Sequence, residues 1–348
     1  MLAATFAEYG PPEKLTVGEI PRPTPGAGEL LVRVAAAGLN PIDCRIRSGE
    51  LRHFLRVGLP FVCGSDIAGI VKAAGPGANR FRAGDAVFAM LPVKAGGGYA
   101  EYALVRESMA APAPAGITLA EAASVPLAAL TALQSLRDKA GVSDGCEVLV
   151  YGASGGVGSF AVQVAKSLGA RVTAAASGRN AEFVRALGAD EVVDYTQGID
   201  HLGPRFDVVF DAVDKLPFRR SRRLLRPRGV AVTVNPVAEW LALNFLAFLR
   251  GGRRLRSVFV EPRGTDLELL GGWIAGGRIR PHVERSFPLA EAADAQRLSE
   301  AGRVRGKLVL IVNGPLAGQR PPSAEPGYGL GLSIEAPRTG TDPSSDPS

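Results

Sequence analysis

The sequence predicts an α/β fold that combines a doubly wound parallel sheet with a second, mostly antiparallel β domain. The first observation is a glycine-rich turn within EVLVYGASGGVG (147–158), which joins a short apolar run to an amphipathic helix. The second is that six strand-like runs alternate with helical segments between residues 147 and 260. The third is a set of short β-like runs, bounded by glycine or proline, in residues 1–115.

The glycine-rich turn matches the dinucleotide-binding fingerprint G-x-G-x-x-G in part. Gly155 and Gly158 fill its second and third glycine positions, whereas Ala153 stands at the first. Gly155 would let a pyrophosphate approach the backbone, and Gly158 would let the helix pack closely on its strand. A second β-rich run at 171–176 completes a βαβ unit, which favours a nucleotide site over a plain tight turn.

The end of the second strand indicates which dinucleotide binds. An NAD site usually has Asp or Glu there to hold the ribose hydroxyls. This sequence has Ala176, Ser177, Gly178, Arg179 and Asn180 instead. Arg179 and Ser177 can hydrogen-bond a 2′-phosphate, because a guanidinium is well shaped for phosphate oxygens. The sequence therefore predicts NADPH rather than NADH as the cofactor, the alternative being that Arg179 is a solvated loop residue.

Length and composition set broad limits. A chain of 348 residues, with 46% hydrophobic and 21% charged residues, is long enough for two globular domains. Its three scattered cysteines suggest no disulfide framework, and residues 1–10 lack the pattern of a secretory signal, so we expect a cytoplasmic protein. The longest apolar helix candidate, residues 238–249, is too short to span a bilayer.

The net charge of +6 raises the question of a nucleic-acid partner, since a basic surface attracts polyanions. The dense basic run FRRSRRLLRPRG (218–229) has leucines but no aromatic residues between its arginines. We interpret this run as the solvated face of a helix packed on the sheet. Nucleic-acid binding is therefore disfavoured.

The remaining elements follow in order along the chain. Helical spacing over residues 119–136 precedes the glycine-rich turn. Beyond residue 260, two helix candidates (265–275 and 289–300) and a terminal strand (307–312) can return to the first domain. From residue 313 the chain is rich in Pro, Gly and Ser, which predicts a disordered tail. We accordingly expect a first domain at 1–118 completed by 261–312, a nucleotide-binding domain at 119–260 and a tail at 313–348.

Several motifs in a fixed order carry a family resemblance. They are AAGLNPIDCRIRSGE (36–50), LPFVCGSDIAGIVKAAGPG (59–77), FRAGDAVFAM (81–90), VPLAALTALQSL (125–136), VYGASGGVGSFAVQVAKSLGA (150–170) and RGKLVLIV (305–312). Over residues 1–312 the chain resembles the medium-chain dehydrogenase/reductase superfamily, and within it the zinc-free, NADPH-dependent quinone oxidoreductase and enoyl reductase branch. The resemblance implies a GroES-like β domain built from both chain ends, with a Rossmann domain inserted between them. It also implies a homodimer that pairs the last Rossmann strands, here residues 256–260.

The resemblance also bears on zinc. In zinc-dependent relatives the catalytic metal is held at places that align with Asn40, Ser65 and Leu127, and a neighbouring acid aligns with Asp66. None of the three aligned residues is Cys or His, and neither Asn nor Leu is a competent zinc ligand. The sequence also lacks the four closely spaced cysteines of the structural zinc lobe. The resemblance therefore predicts that no metal is bound.

The resemblance implies a set of residues around the cofactor. Asn40 and Thr131 would lie near the nicotinamide and Lys307 near the edge of its cleft, although Asn40 can instead cap a turn before Pro41. The pyrophosphate would be held by Ser154, Gly155, Gly156, Val157 and Gly158, the adenosine phosphate by Ser177, Arg179, Asn180 and Tyr195, and the nicotinamide cleft would be lined by Val213, Asn235, Phe259 and Val260. Phe259 can instead belong to the core, and Asn235 is also a good turn former.

One departure from the family concerns protonation. Quinone oxidoreductases often carry a tyrosine two residues after the aspartate of this motif, whereas Arg45 stands two residues after Asp43 here. Arg45 can bind a carboxylate, a phosphate or a developing enolate, or it can face solvent. We take Asn40, Arg45 and Thr131 as the candidate catalytic residues and Asp43 as structural.

The resulting prediction is a reductase that transfers hydride from NADPH to a quinone or to an α,β-unsaturated carbonyl compound without zinc. A second interpretation keeps the fold but makes the protein an enoyl-thioester reductase or a tailoring enzyme of a biosynthetic pathway, with Arg45 contacting an anionic carrier. A third is an NADPH-binding structural or nucleic-acid-binding protein with little turnover. Its support is the basic run and the tail.

Overall fold

The computed structural model describes residues 1–234 and 252–321. Its strands are β1 (Leu2–Phe6), β2 (Thr16–Glu19), β3 (Glu29–Leu39), β4 (Phe61–Val62), β5 (Asp66–Ala74), β6 (Ala86–Met90), β7 (Tyr102–Arg106), β8 (Ala110–Pro112), β9 (Glu147–Tyr151), β10 (Arg171–Ala176), β11 (Glu191–Asp194), β12 (Phe206–Asp211), β13 (Leu225–Thr233), β14 (Arg254–Ser257), β15 (Val283–Pro288) and β16 (Lys307–Ile311). Its α-helices are α1 (Pro41–Ser48), α2 (Leu119–Ala123), α3 (Pro126–Leu133), α4 (Gly156–Ser167), α5 (Ala181–Ala186), α6 (Phe218–Leu224), α7 (Gly264–Ala275), α8 (Ala292–Glu300) and α9 (Gly314–Ala317), and a π-helical segment (Gln134–Ala140) follows α3.

A mostly antiparallel sheet is built around β3. Its strand order is β15-β16-β3-β5-β6-β8, and β7 also pairs with β3. The long strand β3 is antiparallel to β5, β7 and β16, and most of its side chains are buried because it lies inside the sheet. Leu308 of β16 lies opposite Leu39 of β3, so the chain returns to this sheet after the second sheet is complete. Strand β1 lies between β2 and β4 in a separate small sheet.

The second large sheet is parallel throughout, with the order β11-β10-β9-β12-β13-β14. Numbered from its own first strand, this order is 3-2-1-4-5-6, that of a doubly wound dinucleotide-binding sheet. Its topological switch point lies between β9 and β12, where a ligand crevice is expected beyond the carboxyl ends of the strands. The two sheets together confirm the predicted fold class.

The first βαβ unit of the parallel sheet folds around two glycines. Val148, Leu149 and Val150 of β9 are fully buried, as expected for a central parallel strand. Gly152 then adopts a φ of 78°, a left-handed conformation that favours glycine. A Cβ on Gly158 would lie 2.1 Å from the Gly152 carbonyl oxygen, so α4 packs on β9 as closely as the sequence predicts.

The predicted helix over residues 119–136 is interrupted. Thr118 caps α2 by accepting a hydrogen bond from the Glu121 amide, and Glu121 accepts one from the Thr118 amide in return. The helix ends at Ala123, and α3 starts at Pro126 because proline suits the first turn of a helix and not its interior. Helical structure then continues past the predicted end through the π-helical segment.

The basic run 218–229 forms a helix only in its first half. In α6, Ser221 and Leu224 are buried while Arg219, Arg222 and Arg223 are exposed, which confirms a solvated helix face. The prediction of a helix is wrong for the second half of this run, because strand β13 begins at Leu225. Edge strand β14, through which a homodimer would pair, covers Arg254–Ser257, and this pairing stays a prediction.

The segment predicted to be a disordered tail begins with ordered structure. Asn313 caps α9 by accepting from the Leu316 amide, and its own amide donates to the Ala35 carbonyl of β3. The Leu119 amide donates to the Gln319 carbonyl, which ties this segment to α2. Residues 313–321 therefore pack on the first sheet, and residues 322–348 lie outside the described part of the chain.

Two further predictions concern Asn235 and the apolar helix candidate 238–249, and both lie outside the described residues. Within residues 1–234 and 252–321, no helix combines the length and apolar character needed to cross a membrane. Cys44 and Cys63 are buried, Cys146 is half-buried, and all three are free thiols. The cytoplasmic location stays a prediction.

Candidate active site

A buried polar cluster joins the ends of three strands of the first sheet. It consists of Asn40 after β3, Asp66 at the start of β5 and Lys307 at the start of β16, each no more than 3% exposed. The Asn40 Nδ2 donates to Asp66 Oδ2 at 2.9 Å. The Lys307 Nζ donates to the Leu39 carbonyl at 2.9 Å and to Asn40 Oδ1, and lies 3.8 Å from Asp66 Oδ2. The ammonium and the carboxylate therefore hold opposite ends of the Asn40 amide and fix its orientation.

Asp43 extends this cluster from the first turn of α1. Asn40 occupies the N-cap position of α1, and its backbone amide donates to Asp43 Oδ2 at 2.9 Å. The fully buried Tyr99 donates its hydroxyl to the same oxygen at 2.9 Å. Asp43 thus holds the backbone of Asn40 in place, in keeping with the structural role predicted for it. Asn40 thus lies at the N-cap position of α1, while its side chain bonds within the cluster and not to the first-turn amides of the helix.

Burial shifts the protonation equilibria of the cluster. Desolvation raises the pKa of Asp43 to about 7 and that of Asp66 to about 6. Desolvation also lowers the pKa of the Lys307 ammonium, although the nearby carboxylates oppose this effect. Two carboxyl groups thus share one buried cation, so the cluster can take up or release a proton near neutral pH.

The N-terminus of α3 completes the binding of Asp66. The Leu127 amide donates to Asp66 Oδ1 at 2.8 Å, where the helix dipole favours a negative charge. The Thr131 hydroxyl donates to the Leu127 carbonyl at 2.7 Å, one turn along the same helix. Both oxygens of Asp66 are therefore hydrogen-bonded, and Thr131 is connected to Asn40 through Leu127 and Asp66.

The glycine-rich turn lies directly beside this cluster. The Gly306 amide donates to the Ser154 carbonyl at 2.9 Å, and a Cβ on Gly156 would lie 3.1 Å from Lys307 Cδ. A Cβ on Gly155 would meet a single atom within 4 Å, the Gly152 carbonyl oxygen at 3.5 Å. The side of the turn that faces the crevice is thus open to a pyrophosphate, and the first-turn amides of α4 lack intrahelical partners. These residues fit the dinucleotide that the sequence predicts.

The predicted adenosine-phosphate residues meet at the end of β10. Asn180 Nδ2 donates to Ser154 Oγ at 2.9 Å and to Ser177 Oγ at 3.3 Å, which connects the glycine turn to the end of the second strand. Arg179 is exposed and forms no ion pair with any residue in 1–234 or 252–321. Tyr195 packs against Tyr151, with ring centroids 5.4 Å apart. The Arg179 guanidinium is therefore available to a ligand.

Asp194 introduces a carboxylate that the sequence interpretation missed. It ends β11, and the parallel pairing places it opposite Ala176 at the end of β10. A Cβ on Gly178 would lie 2.7 Å from Asp194 Oδ2. Hydrogen bonds from the Thr196 hydroxyl and amide lower the pKa of Asp194, so it is charged at neutral pH. A negative charge thus lies beside the predicted 2′-phosphate position.

Within the described residues, the remaining predicted residues make no hydrogen bond with Asn40, Asp66 or Lys307. Val213 is 38% exposed and contacts Gly152, and Phe259 is 70% exposed, so Phe259 does not belong to the core. Val260 is partly buried against the main core cluster. Arg45 is held by an ion pair with Glu50 at 2.8 Å on the outer part of α1, and the structure shows no hydrogen bond between it and Asn40.

Asp66 and Gly152 were not among the predicted site residues, although the sequence carried a signal for each. Asp66 opens an apolar strand, and a carboxylate that starts a buried run requires a buried partner. Gly152 follows β9 directly, a common place for a left-handed turn residue. Asp194 and Tyr99 gave no comparable signal, because Asp194 reaches Gly178 only through the pairing of β11 with β10, and Tyr99, which lies outside the strands, reaches Asp43 across 56 residues.

Comparisons with known proteins agree with this geometry. The family model described as "Alcohol dehydrogenase GroES-like domain" matches residues 26–115, and the one described as "Zinc-binding dehydrogenase" matches residues 187–310. The chain is 36% identical over 305 residues to a chloroplast envelope quinone oxidoreductase homolog of Arabidopsis thaliana, covering 84% of this chain and 92% of that protein. It is 32% identical over 322 residues to a chloroplastic NADPH-dependent alkenal/one oxidoreductase of the same plant, covering 89% of this chain and 79% of that protein.

A solved structure gives the same result. The quinone oxidoreductase from Coxiella burnetii superposes with a TM-score of 0.80 at 33% identity, over 90% of this chain and 99% of that chain. With the dinucleotide crevice and the buried cluster beside it, these similarities show that the chain is an oxidoreductase that belongs to the quinone oxidoreductase branch of the medium-chain dehydrogenase/reductase superfamily.

Proposed function

We propose that the protein reduces a quinone or the activated double bond of an α,β-unsaturated carbonyl compound with NADPH and without zinc. The observation that carries this proposal is the Asn40 amide, held between Asp66 and Lys307 beside the glycine-rich turn. The relatives named for quinone and alkenal/one oxidoreduction support the same substrate classes. An acceptor that is already conjugated needs little further polarisation, so a neutral amide and a nearby ammonium are sufficient.

In this proposal the residues of the chain bind the cofactor, orient the acceptor and stabilise the charge that develops on the acceptor oxygen. A reduced nicotinamide supplies a hydride when bound. That hydride would go to the β-carbon of an enone or to a quinone, and the oxygen of the resulting enolate or hydroquinone anion would take up a proton from a side chain or from water. We expect the second N–H of Asn40 Nδ2 to face the cofactor or acceptor, since the first is given to Asp66. Thr131 and the rim residues Val213, Phe259 and Val260 would orient the nicotinamide.

The absence of zinc chemistry is proposed from the donor set. Asn40 and Leu127 offer no thiolate, imidazole or carboxylate, and the one acid among the aligned positions, Asp66, has both oxygens hydrogen-bonded. The Lys307 ammonium already provides the positive charge that Asp66 requires. A divalent cation here would have to displace a buried ammonium at close range, which is unfavourable.

Turnover assays distinguish the candidate functions. We expect the purified protein to oxidise NADPH steadily with 1,4-benzoquinone or a simple enone. Activity confined to pantetheine-linked enoyl substrates would favour the enoyl-thioester alternative. Tight NADPH binding without turnover on any of these acceptors, together with salt-sensitive binding to nucleic acid, would overturn the proposal in favour of a binding protein.

Arg179→Ala tests the choice of NADPH. Because a guanidinium–phosphate contact stabilises by about 1.5 to 3 kcal/mol, we expect NADPH affinity to fall by about 10- to 100-fold. NADH affinity should be unchanged, since NADH has no 2′-phosphate. Cofactor fluorescence during titration measures both. Arg171→Ala is a matched control, because Arg171 begins the strand whose end precedes Arg179.

Asp194→Asn supplies a second arm of this titration. The variant keeps an acceptor for the Thr196 amide while removing the charge beside the predicted phosphate position. We expect NADPH affinity to rise by about threefold, a surface electrostatic effect that salt should reduce. Equal affinities of the wild-type protein for NADPH and NADH would contradict the proposed specificity.

A further inference from the structure

The Gln134 side chain forms an amide clamp on the backbone of Glu261, bonding to both its amide and its carbonyl group. Its Nε2 donates to the Glu261 carbonyl at 2.9 Å, and the Glu261 amide donates to its Oε1 at 2.9 Å. Gln134 is 3% exposed, so these bonds are shielded from water. One side chain therefore satisfies both polar groups of one residue in a segment that has no secondary structure of its own.

The clamped segment carries two residues of the proposed nicotinamide cleft. Residues 258–263 connect β14 to α7, and within them Phe259 is 70% exposed while Val260 packs on the core. The Val258 amide is held by the Thr233 carbonyl at 3.3 Å. Within residues 1–234 and 252–321, the hydrogen bonds that join the backbone of residues 259–263 to an element other than α7 are the two bonds to Gln134. Phe259 and Val260 thus lie between two backbone anchors, the Val258 amide and the Gln134 clamp, and Val260 is also packed on the core.

Gln134 is rigidly joined to the helix that carries Thr131. It lies three residues beyond Thr131, and its backbone amide bonds to the carbonyls of Leu130 and Thr131. It is also the first residue of the π-helical segment, a type of helix that occurs frequently at functional sites. Gln134 therefore connects the helix of Thr131 directly to the segment that holds Phe259.

Buried polar contacts lock the Gln134 side chain in place. Its Nε2 also donates to Asp266 Oδ2 at 3.1 Å, and Arg137 bonds to the other oxygen of Asp266 at 2.8 Å. Asp266 is 6% exposed. Because both N–H groups and the carbonyl oxygen of the Gln134 amide have partners, its orientation is determined.

We propose that Gln134 is a positioning residue of the nicotinamide site. It holds Phe259 and Val260 at a fixed distance from Thr131, on the other side of the proposed nicotinamide cleft. The inference rests on the proposed function, because it assumes that the nicotinamide lies between these residues. It predicts that loss of the clamp disturbs the nicotinamide end of the dinucleotide and leaves the adenosine end intact.

The chain offers a matched control in Gln163 of α4. The Arg280 amide donates to Gln163 Oε1 at 2.7 Å, and Gln163 Nε2 donates to the Arg280 carbonyl at 3.2 Å and to the Ser159 carbonyl at 3.0 Å. Gln163 is 5% exposed. Gln163 therefore makes the same kind of buried clamp on a loop backbone. The loop that it holds leads into β15 and carries none of the residues predicted to line the nicotinamide cleft.

The experiment compares Gln134→Met with Gln163→Met, since methionine keeps the length of glutamine and removes its hydrogen bonds. Affinities are measured for NADPH and for 2′,5′-ADP, which contains only the adenosine-phosphate end. For Gln134→Met we expect NADPH to bind about tenfold more weakly and kcat to fall about tenfold, with 2′,5′-ADP affinity unchanged. For Gln163→Met we expect all three quantities to stay within about twofold of the wild type at a similar loss of stability in urea.

The outcomes separate the two proposals. Binding of 2′,5′-ADP reports a folded parallel sheet in each variant, so a folding defect cannot imitate the expected pattern. If wild type binds NADPH but Gln134→Met and Gln163→Met behave alike, the role of Gln134 is overturned and the proposed function stands. If the wild type binds neither NADPH nor 2′,5′-ADP, both are overturned together.

Discussion

Lys307→Met is expected to abolish most of the activity and to destabilise the fold. Lys307 provides the positive charge that pairs with Asp66 and donates a hydrogen bond to Asn40 Oδ1. Its removal leaves a buried carboxylate without a cation and lets the Asn40 side-chain amide rotate by 180°. Breaking a buried ion pair from one side costs about 3 to 5 kcal/mol. A misplaced amide near the reacting atoms should lower kcat by about 100-fold. Urea unfolding and NADPH turnover measure the two effects.

The double variant Lys307→Met with Asp66→Asn separates stability from catalysis. With both charges removed, the amide of Asn40 can reverse and pair with the new amide at position 66, so most of the lost stability should return. Activity should stay low, because the reversed amide no longer presents the same N–H. Full recovery of activity in the double variant would show that Lys307 does not act through the orientation of Asn40.

Lys166→Met provides the surface comparison. Lys166 pairs with Asp190 at 2.9 Å, but the Lys166 side chain is 36% exposed. Solvent screens this pair, so we expect a loss of less than about 1 kcal/mol and unchanged turnover. A similar cost for Lys166→Met and Lys307→Met would contradict the buried-pair explanation.

Asp43→Asn is expected to remove a loss of folding stability that the wild type shows as the pH rises. Burial raises the pKa of Asp43 to about 7 from its usual value of 3.8, so the folded state favours the neutral carboxyl group. The stability due to this shift is fully present below pH 3.8 and is lost as the pH rises through about 7. At pH 8.5 the wild type should therefore be less stable than Asp43→Asn by about 2 to 4 kcal/mol, and at pH 5.0, where only part of this stability has been lost, by about 1 to 2 kcal/mol.

The substitution is suited to this test because asparagine retains an acceptor oxygen for the Asn40 amide and the Tyr99 hydroxyl. Urea unfolding at pH 5.0 and at pH 8.5 measures the difference. Asp66 adds a weaker dependence of the same sign, since burial raises its pKa to about 6. Parallel stability curves for the wild type and Asp43→Asn would show that Asp43 is ionised in the folded protein throughout this range.

The sequence was sufficient to predict the elements whose signal is local. Apolar strand-like runs that alternate with helical segments, together with the glycine-rich turn, identified the parallel sheet. Buried strands and tight turns each restrict residue type within a short window. The helix α1 (Pro41–Ser48) was missed, since it is short and its first residue is a proline that also suits a turn. The interruption at residues 124–125 was missed for a related reason, because helical spacing continues across it.

The sequence was sufficient to predict several residues of the candidate site, but not most of the hydrogen bonds between them. Asn40, Thr131 and Lys307 were expected near one another through the resemblance, but their connection through Asp66 and the Leu127 amide depends on pairing between strands far apart in the chain. Asp194 illustrates a related limit, because its proximity to Gly178 follows from the pairing of β11 with β10, which the sequence pattern of either strand alone does not reveal. Periodicity carries no information about which strands are neighbours.

The late position of Lys307 in the chain has a consequence for synthesis on the ribosome. The hydrogen bond between Lys307 and Asn40 spans 267 residues, and β16 is the last strand to join its sheet. The parallel sheet can form while translation continues, because all of its strands precede residue 258. We therefore expect nascent chains that stop before β15 to hold the adenosine part of a dinucleotide without turnover, so that reduction begins only when the C-terminal strands have left the exit tunnel.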